Sequence, residues 1–309
     1  MSESYISTIG TTLPTSEFVE KCVKELTKKY SFLRLMEIGR SVMGKPLWCL
    51  SFGKGANRVF YSASHHANEY ITTNLLLKFV DRLCSAYASG GSIHGESAKE
   101  IYDYCTLAVV PAVNPDGIDL VTGALRQGKY YDRAREIATS YPRFSFPDGW
   151  KANIEGIDLN LQYPAGWEQA KANKYALGIV SPAPADFVGE NPLSAPESRA
   201  VYDFTLRFDP DLILTYHTQG EVIYWKYLDQ EPRSSYKIAL IFSVLSGYSV
   251  ETTPYASGFA GYKDWFIDAF DRPGYTIEAG KGINPLPLTQ FDDIYNKNLG
   301  ILTLGTLVT

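Results

Sequence analysis

Residues 58–77, RVFYSASHHANEYITTNLLL, place an apolar strand, a polar turn and an apolar helix in direct succession. In the polar turn, His66 and Glu69 lie three positions apart, so both side chains can point to one spot in a tight loop or a first helical turn. An imidazole nitrogen and a carboxylate oxygen suit Zn²⁺, and a catalytic zinc takes one more protein ligand beside an open position. The same spacing also occurs by chance and in surface pairs on helices.

A third ligand must come from elsewhere, and the chain has only four histidines: His65, His66, His94 and His217. His94 lies in SGGSIHGES, a Gly- and Ser-rich stretch that is typical of a solvated loop. His217 ends DLILTYH, the pattern of a buried strand that stops at polar residues. Ligands of open α/β sheets gather at the carboxyl ends of strands, where both His66 and His217 are predicted to lie. This shared placement favours a metal site.

The composition limits the partners of the protein. A net charge of −5, with basic residues scattered along the 309 positions, argues against a nucleic-acid partner. No window reaches the roughly 18 apolar residues of a membrane span, and the first residues lack the pattern of a signal peptide. As the sequence stands, we expect no membrane contact and a cytoplasmic location, or a secreted or cell-wall location if a leader was removed. The oligomeric state stays open.

Helical and strand patterns alternate along most of the chain, as in doubly wound α/β proteins. Helices are predicted at 15–29, 99–106, 194–208, 234–248 and 288–304. A further helix is predicted after the strand at 58–64 and its polar turn, and it continues through Leu83. Strands are predicted at 33–42 and 45–55, which form a hairpin around Gly44, and at 58–64, 106–114, 211–218 and 272–280. Together these elements predict one domain over residues 1–309.

Two features fall outside this alternation. From Pro115 to about Leu206, proline, glycine and aromatic residues replace the regular pattern, and we interpret this region as the substrate-binding face. Four cysteines, which lack CxxC spacing and lie in apolar or helical surroundings, are predicted to be buried free thiols: Cys22, Cys49, Cys84 and Cys105.

Hydrolysis at a zinc site requires a carboxylate that takes the proton of the attacking water and passes it to the leaving group. Glu278 is the candidate, because it ends the otherwise apolar strand GYTIE. A glutamate buried there would be costly unless it had a role or a partner. The alternative is a glutamate that reaches solvent at the end of a strand.

Five separated motifs resemble, in order, those of the zinc metallocarboxypeptidases of the funnelin type. They are His66-Ala67-Asn68-Glu69, Asn114-Pro115-Asp116-Gly117, Gly156-Ile157-Asp158-Leu159-Asn160, His217 and Thr276-Ile277-Glu278. The resemblance covers nearly the whole chain. It implies a single-domain α/β fold with an eight-stranded mixed sheet flanked by helices on both faces, and one zinc ion per chain.

The resemblance also implies the roles of individual residues. His66, Glu69 and His217 would hold the zinc, and Glu278 would be the general base. Asn160 would bind a substrate carboxylate. A tyrosine would close over the substrate, and Tyr255 matches its position best, with Tyr262 as the second choice.

Two positions depart from the family pattern. Lys151 occupies the place of the arginine that polarises the scissile carbonyl; lysine still offers a cation, and Arg126 or Arg133 are substitutes. Leu161 follows Asn160 where carboxypeptidases carry the arginine that grips the terminal carboxylate of the substrate. Leucine supplies none of the charge-assisted hydrogen bonds of that arginine. Ordinary removal of C-terminal residues is therefore doubtful.

The stretch 150–168, WKANIEGIDLNLQYPAGWE, resembles the bacterial γ-D-glutamyl-L-diamino acid endopeptidase I group of this family. That resemblance implies hydrolysis of the bond between γ-D-glutamate and meso-diaminopimelate, or lysine, in peptidoglycan stem peptides or muropeptides. Gln162, Gln219 and arginines of the 115–206 region are candidates for binding the substrate carboxylates. The alternatives are an ordinary metallocarboxypeptidase and a cell-wall peptide-binding protein without catalytic activity. LysM repeats, which often accompany the group, are not expected within this sequence.

Overall fold

Ten strands and ten α-helices make up the computed structural model, which describes residues 4–308. The strands are β1 (Arg34–Arg40), β2 (Pro46–Gly53), β3 (Asn57–Ala63), β4 (Ser92–Ile93), β5 (Glu96–Ser97), β6 (Cys105–Val110), β7 (Leu212–His217), β8 (Val222–Tyr224), β9 (Ser249–Glu251) and β10 (Gly274–Glu278). The helices are α1 (Ser16–Lys29), α2 (Ile71–Ala88), α3 (Ala98–Tyr104), α4 (Pro115–Val121), α5 (Lys129–Thr139), α6 (Trp167–Ala176), α7 (Pro196–Phe208), α8 (Ser235–Ser246), α9 (Tyr262–Phe270) and α10 (Phe291–Leu304).

Eight of the strands form one mixed sheet in the order β1-β2-β6-β3-β7-β10-β8-β9, while β4 and β5 pair separately as a small hairpin. The central strands β6, β3, β7 and β10 run parallel to one another. β1 and β2 form the antiparallel hairpin predicted at the sheet edge. The eight-stranded mixed sheet expected from the resemblance is confirmed. The strands β8 and β9, with three residues each, are too short to leave a clear pattern in the sequence.

Side chains alternate across the sheet and divide the core into two layers. In β7, Leu212, Leu214 and Tyr216 join the layer beneath α1, α2, α8 and α10. Ile213 points to the opposite layer, where α7 and α9 contribute Phe204 and Phe266. Because helices cover both faces, the central strands read as continuous apolar runs. His217 lies an even number of residues from Thr215 and therefore faces the α7–α9 side.

The predicted helix at 15–29 is confirmed as α1. Thr15 caps it by accepting a hydrogen bond from the backbone N–H of Phe18. The residues that form its buried face are those of the apolar stripe in the sequence: Phe18, Val19, Cys22, Val23 and Leu26. Each fully buried side chain of this size stabilises the fold by about 1.5–3 kcal/mol. All four cysteines are buried free thiols, as predicted.

The region from Pro115 to about Leu206 is less irregular than the sequence predicted. It contains α4, α5 and α6 before α7 begins. Asn-Pro-Asp-Gly, which is typical of a turn, is instead the cap and first turn of α4: the Asn114 side chain accepts from the N–H of Gly117, with Pro115 in the first turn. The expectation of an irregular region was wrong here because caps and turns use the same residue types.

Two further expectations can be compared with the structure. His94 is exposed in a loop, as predicted. Within residues 4–308, no helix combines the length and apolar character that crossing a membrane requires.

Candidate metal centre

Three neighbouring parallel strands, β3, β7 and β10, end at the same edge of the sheet. His217 is the last residue of β7 and is paired in register with Glu278, the last residue of β10. His66 and Glu69 follow β3 in a short 3₁₀ turn that spans Ala67–Glu69. The strand-end placement that the sequence predicted for His66, His217 and Glu278 is therefore present, and Glu69 lies in the same turn as His66.

Three of these side chains aim their ligand atoms at one point. His66 Nδ1 lies 2.9 Å from Glu69 Oε1, and His217 Nδ1 lies 2.8 Å from Glu69 Oε2. The candidate ligand atoms of His66, Glu69 and His217 all lie within 4.8 Å of one another. A set of two imidazole nitrogens and one carboxylate suits zinc and leaves room for further ligands.

The hydrogen-bond pattern of the two imidazoles also fits a metal ion. His66 Nε2 donates to Asp158 Oδ1 over 3.1 Å, which assigns a ring hydrogen to Nε2 and makes Nδ1 the nitrogen that can bind a metal ion once it is deprotonated. His66 Nδ1 and His217 Nδ1 lie 3.2 Å apart. Two imidazole nitrogens this close need either a hydrogen on one of them or a metal ion between them.

The charges within the cluster also favour a bound cation. Burial lowers the pKa of His66, but the charges of Glu69 and Asp158 outweigh it and raise the pKa to about 10. Burial raises the pKa of Glu69, yet His66, Lys151 and His217 hold it well below its ordinary value. An ionised carboxylate that is 1% exposed and faces two imidazoles is suited to binding a cation.

The pKa of Glu278 shifts in the opposite direction from the pKa of Glu69. Burial, followed by repulsion from Glu69, raises the pKa of Glu278 to about 8, although Lys151 and His66 act against this rise. Glu278 and Lys151 line the same cavity as His66. A carboxyl group with this pKa can both accept and release a proton near neutral pH.

Lys151 enters the cluster from the loop between α5 and α6. Its Nζ lies 3.0 Å from Glu69 Oε1, and about a third of its side chain is exposed. The backbone of the same residue is fixed as well, because its carbonyl accepts from the N–H of Ala67 over 2.9 Å. A backbone hydrogen bond thus connects the turn that carries His66 and Glu69 to the loop that carries the Lys151 ammonium group.

Asn160 and Leu161 also line the cavity, which has a volume of about 400 Å³. Asn160 Oδ1 accepts from the backbone N–H of Tyr262 over 3.0 Å. Because its oxygen is occupied, Asn160 offers its two amide hydrogens, which are the donors that a carboxylate ligand requires. Leu161, 8% exposed, gives this wall an apolar side chain.

The two candidate tyrosines differ in position. Tyr255 is 66% exposed in a 3₁₀ turn and packs edge-on against Phe259, while its neighbours Pro254 and Ser257 line the cavity. Tyr262 is completely buried, and its hydroxyl is hydrogen-bonded to Thr205 over 2.8 Å. Of these two tyrosines, only Tyr255 is therefore placed at the surface beside the cavity.

The remaining candidates for binding substrate lie elsewhere. The side chain of Arg126 donates to the carbonyl of Gly123, Arg133 pairs with Glu136, and neither lines the cavity of Lys151. Gln162 is buried, where its side chain holds the backbone of Val188 and Ala195. Gln219 accepts from the N–H of Gly282 over 3.3 Å. Within residues 4–308, the cavity is lined by no arginine.

Sequence reasoning assigned no task to Asp158. Besides His66 Nε2, its Oδ1 accepts from the N–H of Asn160 over 3.1 Å, and its Oδ2 accepts from the N–H of Asp186 over 3.2 Å. Asp158 therefore fixes the orientation of the imidazole and the turn that carries Asn160. Its place between Gly156 and Asn160 in a recognised motif was the available signal.

The model of the zinc carboxypeptidase family of peptidases matches residues 19–299 of this sequence. The chain belongs to the zinc carboxypeptidase family. The donor set at the strand ends is thus the candidate zinc site of a family member, and the chain is a zinc metallopeptidase.

Two bacterial relatives of this zinc carboxypeptidase match most of its length. The chain is 41% identical to γ-D-glutamyl-L-diamino acid endopeptidase 1 of Lysinibacillus sphaericus over 283 residues, which cover 92% of this chain and 69% of the relative. It is also 41% identical to the uncharacterised Bacillus subtilis protein YqgT, with 92% and 74% coverage.

A solved mammalian structure has the same fold. Bovine thrombin-activatable fibrinolysis inhibitor, solved in complex with tick carboxypeptidase inhibitor, superposes with a TM-score of 0.73 at 16% identity and covers 98% of both chains. At this identity the likeness describes the fold alone. The α/β architecture expected from the sequence is confirmed.

Proposed function

We propose that this zinc metallopeptidase hydrolyses the bond between γ-D-glutamate and the diamino acid, meso-diaminopimelate or lysine, in peptidoglycan stem peptides. The observation that carries the proposal is a cavity that joins the metal donor set to Glu278 and Lys151 but presents Leu161 and no arginine from residues 4–308. The 41% identical relative from Lysinibacillus sphaericus, by its name, acts on this class of bond.

We further propose one zinc ion per chain, held by His66 Nδ1, Glu69 and His217 Nδ1. When bound, zinc supplies a Lewis acid and lowers the pKa of water at its open position. Asp158 keeps the hydrogen of His66 on Nε2, so that Nδ1 offers its lone pair. The single carboxylate and two neutral imidazoles leave one positive charge uncompensated, which suits a negatively charged substrate.

Glu278 is the proposed general base and acid. In its ionised form, Glu278 takes a proton from the water that attacks the γ-carbonyl carbon. It then transfers this proton to the diamino acid nitrogen as the carbon–nitrogen bond breaks, and the products are a carboxylate and a free amine. A pKa raised by burial to about 8 matches the second half of this task, because the carboxyl group holds its proton until the amine leaves.

Lys151 and Asn160 are the proposed polar contacts to the substrate. The ammonium group of Lys151 brings positive charge to the cavity beside Glu278, where negative charge develops on the carbonyl oxygen. Asn160 directs its amide hydrogens to the carboxylate on the diamino acid carbon next to the cleaved bond. Tyr255 covers the substrate from the rim.

Mass spectrometry of the products tests the proposal. The zinc-loaded enzyme is incubated with L-Ala-γ-D-Glu-meso-diaminopimelate and, separately, with a hippuryl-type C-terminal peptide, with Glu278→Gln as the control. Release of diaminopimelate from the first substrate only, absent in the control, is the expected result. Cleavage of the hippuryl peptide instead would overturn the proposal and make the chain an ordinary carboxypeptidase.

A further inference from the structure

The two candidate histidine ligands are oriented by contacts of unequal strength. His66 donates from Nε2 to a carboxylate, Asp158, over 3.1 Å. Among the residues that the structure describes, Nε2 of His217 has one hydrogen-bond partner, Thr215 Oγ1, at 3.4 Å. This is longer than the roughly 2.7–3.2 Å of ordinary hydrogen bonds from nitrogen to oxygen. A metal-binding histidine usually has a firm partner at its second ring nitrogen. The orientation of the His217 ring therefore depends on other contacts.

A histidine that the proposed reaction does not use lies against the His217 ring. His65 is completely buried, and its ring centroid lies 5.8 Å from that of His217, with 22° between the two planes. The ring of Tyr262 lies 5.7 Å from His65 and is tilted from it by 24°. Both distances fall within the roughly 4.5–7 Å of stacked ring pairs. We call His217, His65 and Tyr262 the ring stack.

Other contacts hold His65 in place. Its Nε2 is hydrogen-bonded to the hydroxyl of Tyr163 over 3.1 Å, and its carbonyl accepts from Asn114 Nδ2 over 3.2 Å. The Tyr163 ring is itself stacked on Trp265, with a centroid distance of 5.9 Å. His65 is thus fixed through both its backbone and its side chain, and it presents a rigid flat surface to His217.

The buried position of His65 also has a cost. Its Nδ1 is buried and, within residues 4–308, has no hydrogen-bond partner. A buried polar atom without a partner destabilises the folded state. A phenylalanine would avoid this cost and still supply a flat ring, but it would leave the Tyr163 hydroxyl without the bond to Nε2. Histidine combines the flat ring with the nitrogen that Tyr163 binds.

We propose that His65 is a positioning residue, whose ring, held by Tyr163 and Tyr262, fixes the plane of the His217 ring so that Nδ1 faces the metal position. His65 does not line the cavity and acts through packing. The inference rests on the proposed zinc site, because it concerns one of the zinc ligands.

Zinc affinity, measured by competition with a chelator, gives the first test. His65→Ala removes the ring and should raise the Kd for zinc by about 10- to 100-fold. His65→Phe keeps a flat ring, so its Kd should stay within about 3-fold of the wild type. The chelator concentration at which half of the zinc is released does not depend on how much of a sample is misfolded.

The outcomes of this test separate the inference from the zinc site. A His65→Ala variant with unchanged affinity would overturn the inference and leave the zinc site intact. An equal loss in His65→Phe and His65→Ala would also contradict it, because the ring alone would then not position His217. A wild-type enzyme that binds no zinc would overturn the zinc site, and the inference with it.

Thr215→Val tests the other contact of the His217 ring. Valine has nearly the same shape as threonine but cannot form the 3.4 Å hydrogen bond to Nε2. We expect its zinc affinity to stay within about 3-fold of the wild type, because a bond of this length contributes little. A larger loss in Thr215→Val than in His65→Ala would show that the hydrogen bond orients the ring, which would overturn the inference.

The absorption spectrum of the cobalt-substituted enzyme reports the geometry of the metal site directly, because the visible bands of Co²⁺ depend on how its ligands are arranged. The bands should shift in His65→Ala and stay in place in His65→Phe. A loss of stability alone does not move them. Identical spectra in the wild type and His65→Ala would overturn the inference.

Phe204→Ala is the matched control. Phe204 is a buried ring in the same core layer, where it packs against Phe60 and Phe208. Its replacement should lower the thermal stability and leave both the zinc affinity and the cobalt spectrum unchanged. An equal loss of zinc affinity in this control would mean that His65→Ala acts by loosening the core, and the inference would fail.

Discussion

Two of the buried clusters of charged groups within residues 4–308 differ in where their hydrogen bonds point. At the strand ends, the ligand atoms of His66, Glu69 and His217 face one another. Around Glu197 in α7, the same kind of group faces the backbone and a fixed amide: its oxygens accept from the N–H of Val42 over 3.1 Å and from Asn153 Nδ2 over 3.2 Å.

The difference separates a reactive cluster from a structural one. Glu197 joins three segments of chain and has its acceptors occupied, so it has nothing to offer a ligand. In the candidate metal cluster, His66 Nδ1 and His217 Nδ1 lie 3.2 Å apart and each faces one oxygen of Glu69, so the ligand atoms converge on one point. The burial of a charged group therefore does not by itself indicate function. Ligand atoms that converge on one point beside a cavity do indicate it.

The largest effect should come from removing one of the converging donors. His217→Ala should lose bound zinc and reduce hydrolysis of the diaminopimelate peptide by at least about 10⁴-fold, because the Lewis acid is lost. Metal analysis and product formation are the measurements, with the exposed His94→Ala as control. A variant that keeps both zinc and activity would show that the convergence of these atoms is incidental.

Glu278→Gln should have the next largest effect. It removes the group that accepts and returns the proton but leaves the three donors in place, so zinc content should be unchanged while kcat falls by about 10²- to 10⁴-fold. Parallel metal analysis and steady-state kinetics check both parts. Loss of zinc together with activity would place Glu278 among the metal ligands instead.

Asp158→Asn tests the contact that orients His66 within the candidate metal cluster. An amide can no longer hold the hydrogen of His66 on Nε2 by charge, so we expect zinc affinity to fall by about 10- to 100-fold. Competition with a chelator measures this affinity. Asp119→Asn is the control, because Asp119 binds Ser16 and Lys45 away from the cavity. Equal affinity in the two variants would remove Asp158 from the metal site.

The smallest effect concerns the structural cluster and appears only as a dependence of stability on pH. Burial, against the hydrogen bonds that Glu197 accepts, raises its pKa from 4.5 to about 7. The native state therefore holds this proton to higher pH than the unfolded chain. The stabilisation is complete below about pH 4.5 and is lost as the pH rises through 7, by about 3 kcal/mol in all.

Glu197→Gln tests this behaviour, because glutamine does not titrate. The free energy of unfolding of the wild type, measured relative to the variant by denaturant titration, should fall between pH 5 and pH 8. A constant offset is also expected, because the new amide faces the Asn153 donor and one hydrogen bond is lost. A difference that does not change with pH would show that Glu197 is ionised throughout.

Local features of the sequence were enough to name the candidate metal ligands and the proposed general base. The three-residue spacing of His66 and Glu69, and the apolar runs that end at His217 and Glu278, express the periods of helix and strand. A parallel sheet brings such strand ends together, so the residues could be named before their distances were known. Leu161 and Lys151 were likewise visible as departures from a family pattern.

Tertiary structure alone decided how distant segments meet. Asp158 reaches His66 across 92 positions of sequence, and Tyr262 holds Asn160 across 102. Helices α4 to α6 were hidden because capping residues resemble turn residues. Nothing in GYKDWF marks Lys263 and Asp264 as part of the cavity, because a charged pair in a helix normally faces solvent. Spacing along the chain determines which side chains share a face, whereas packing between elements determines which faces enclose a substrate.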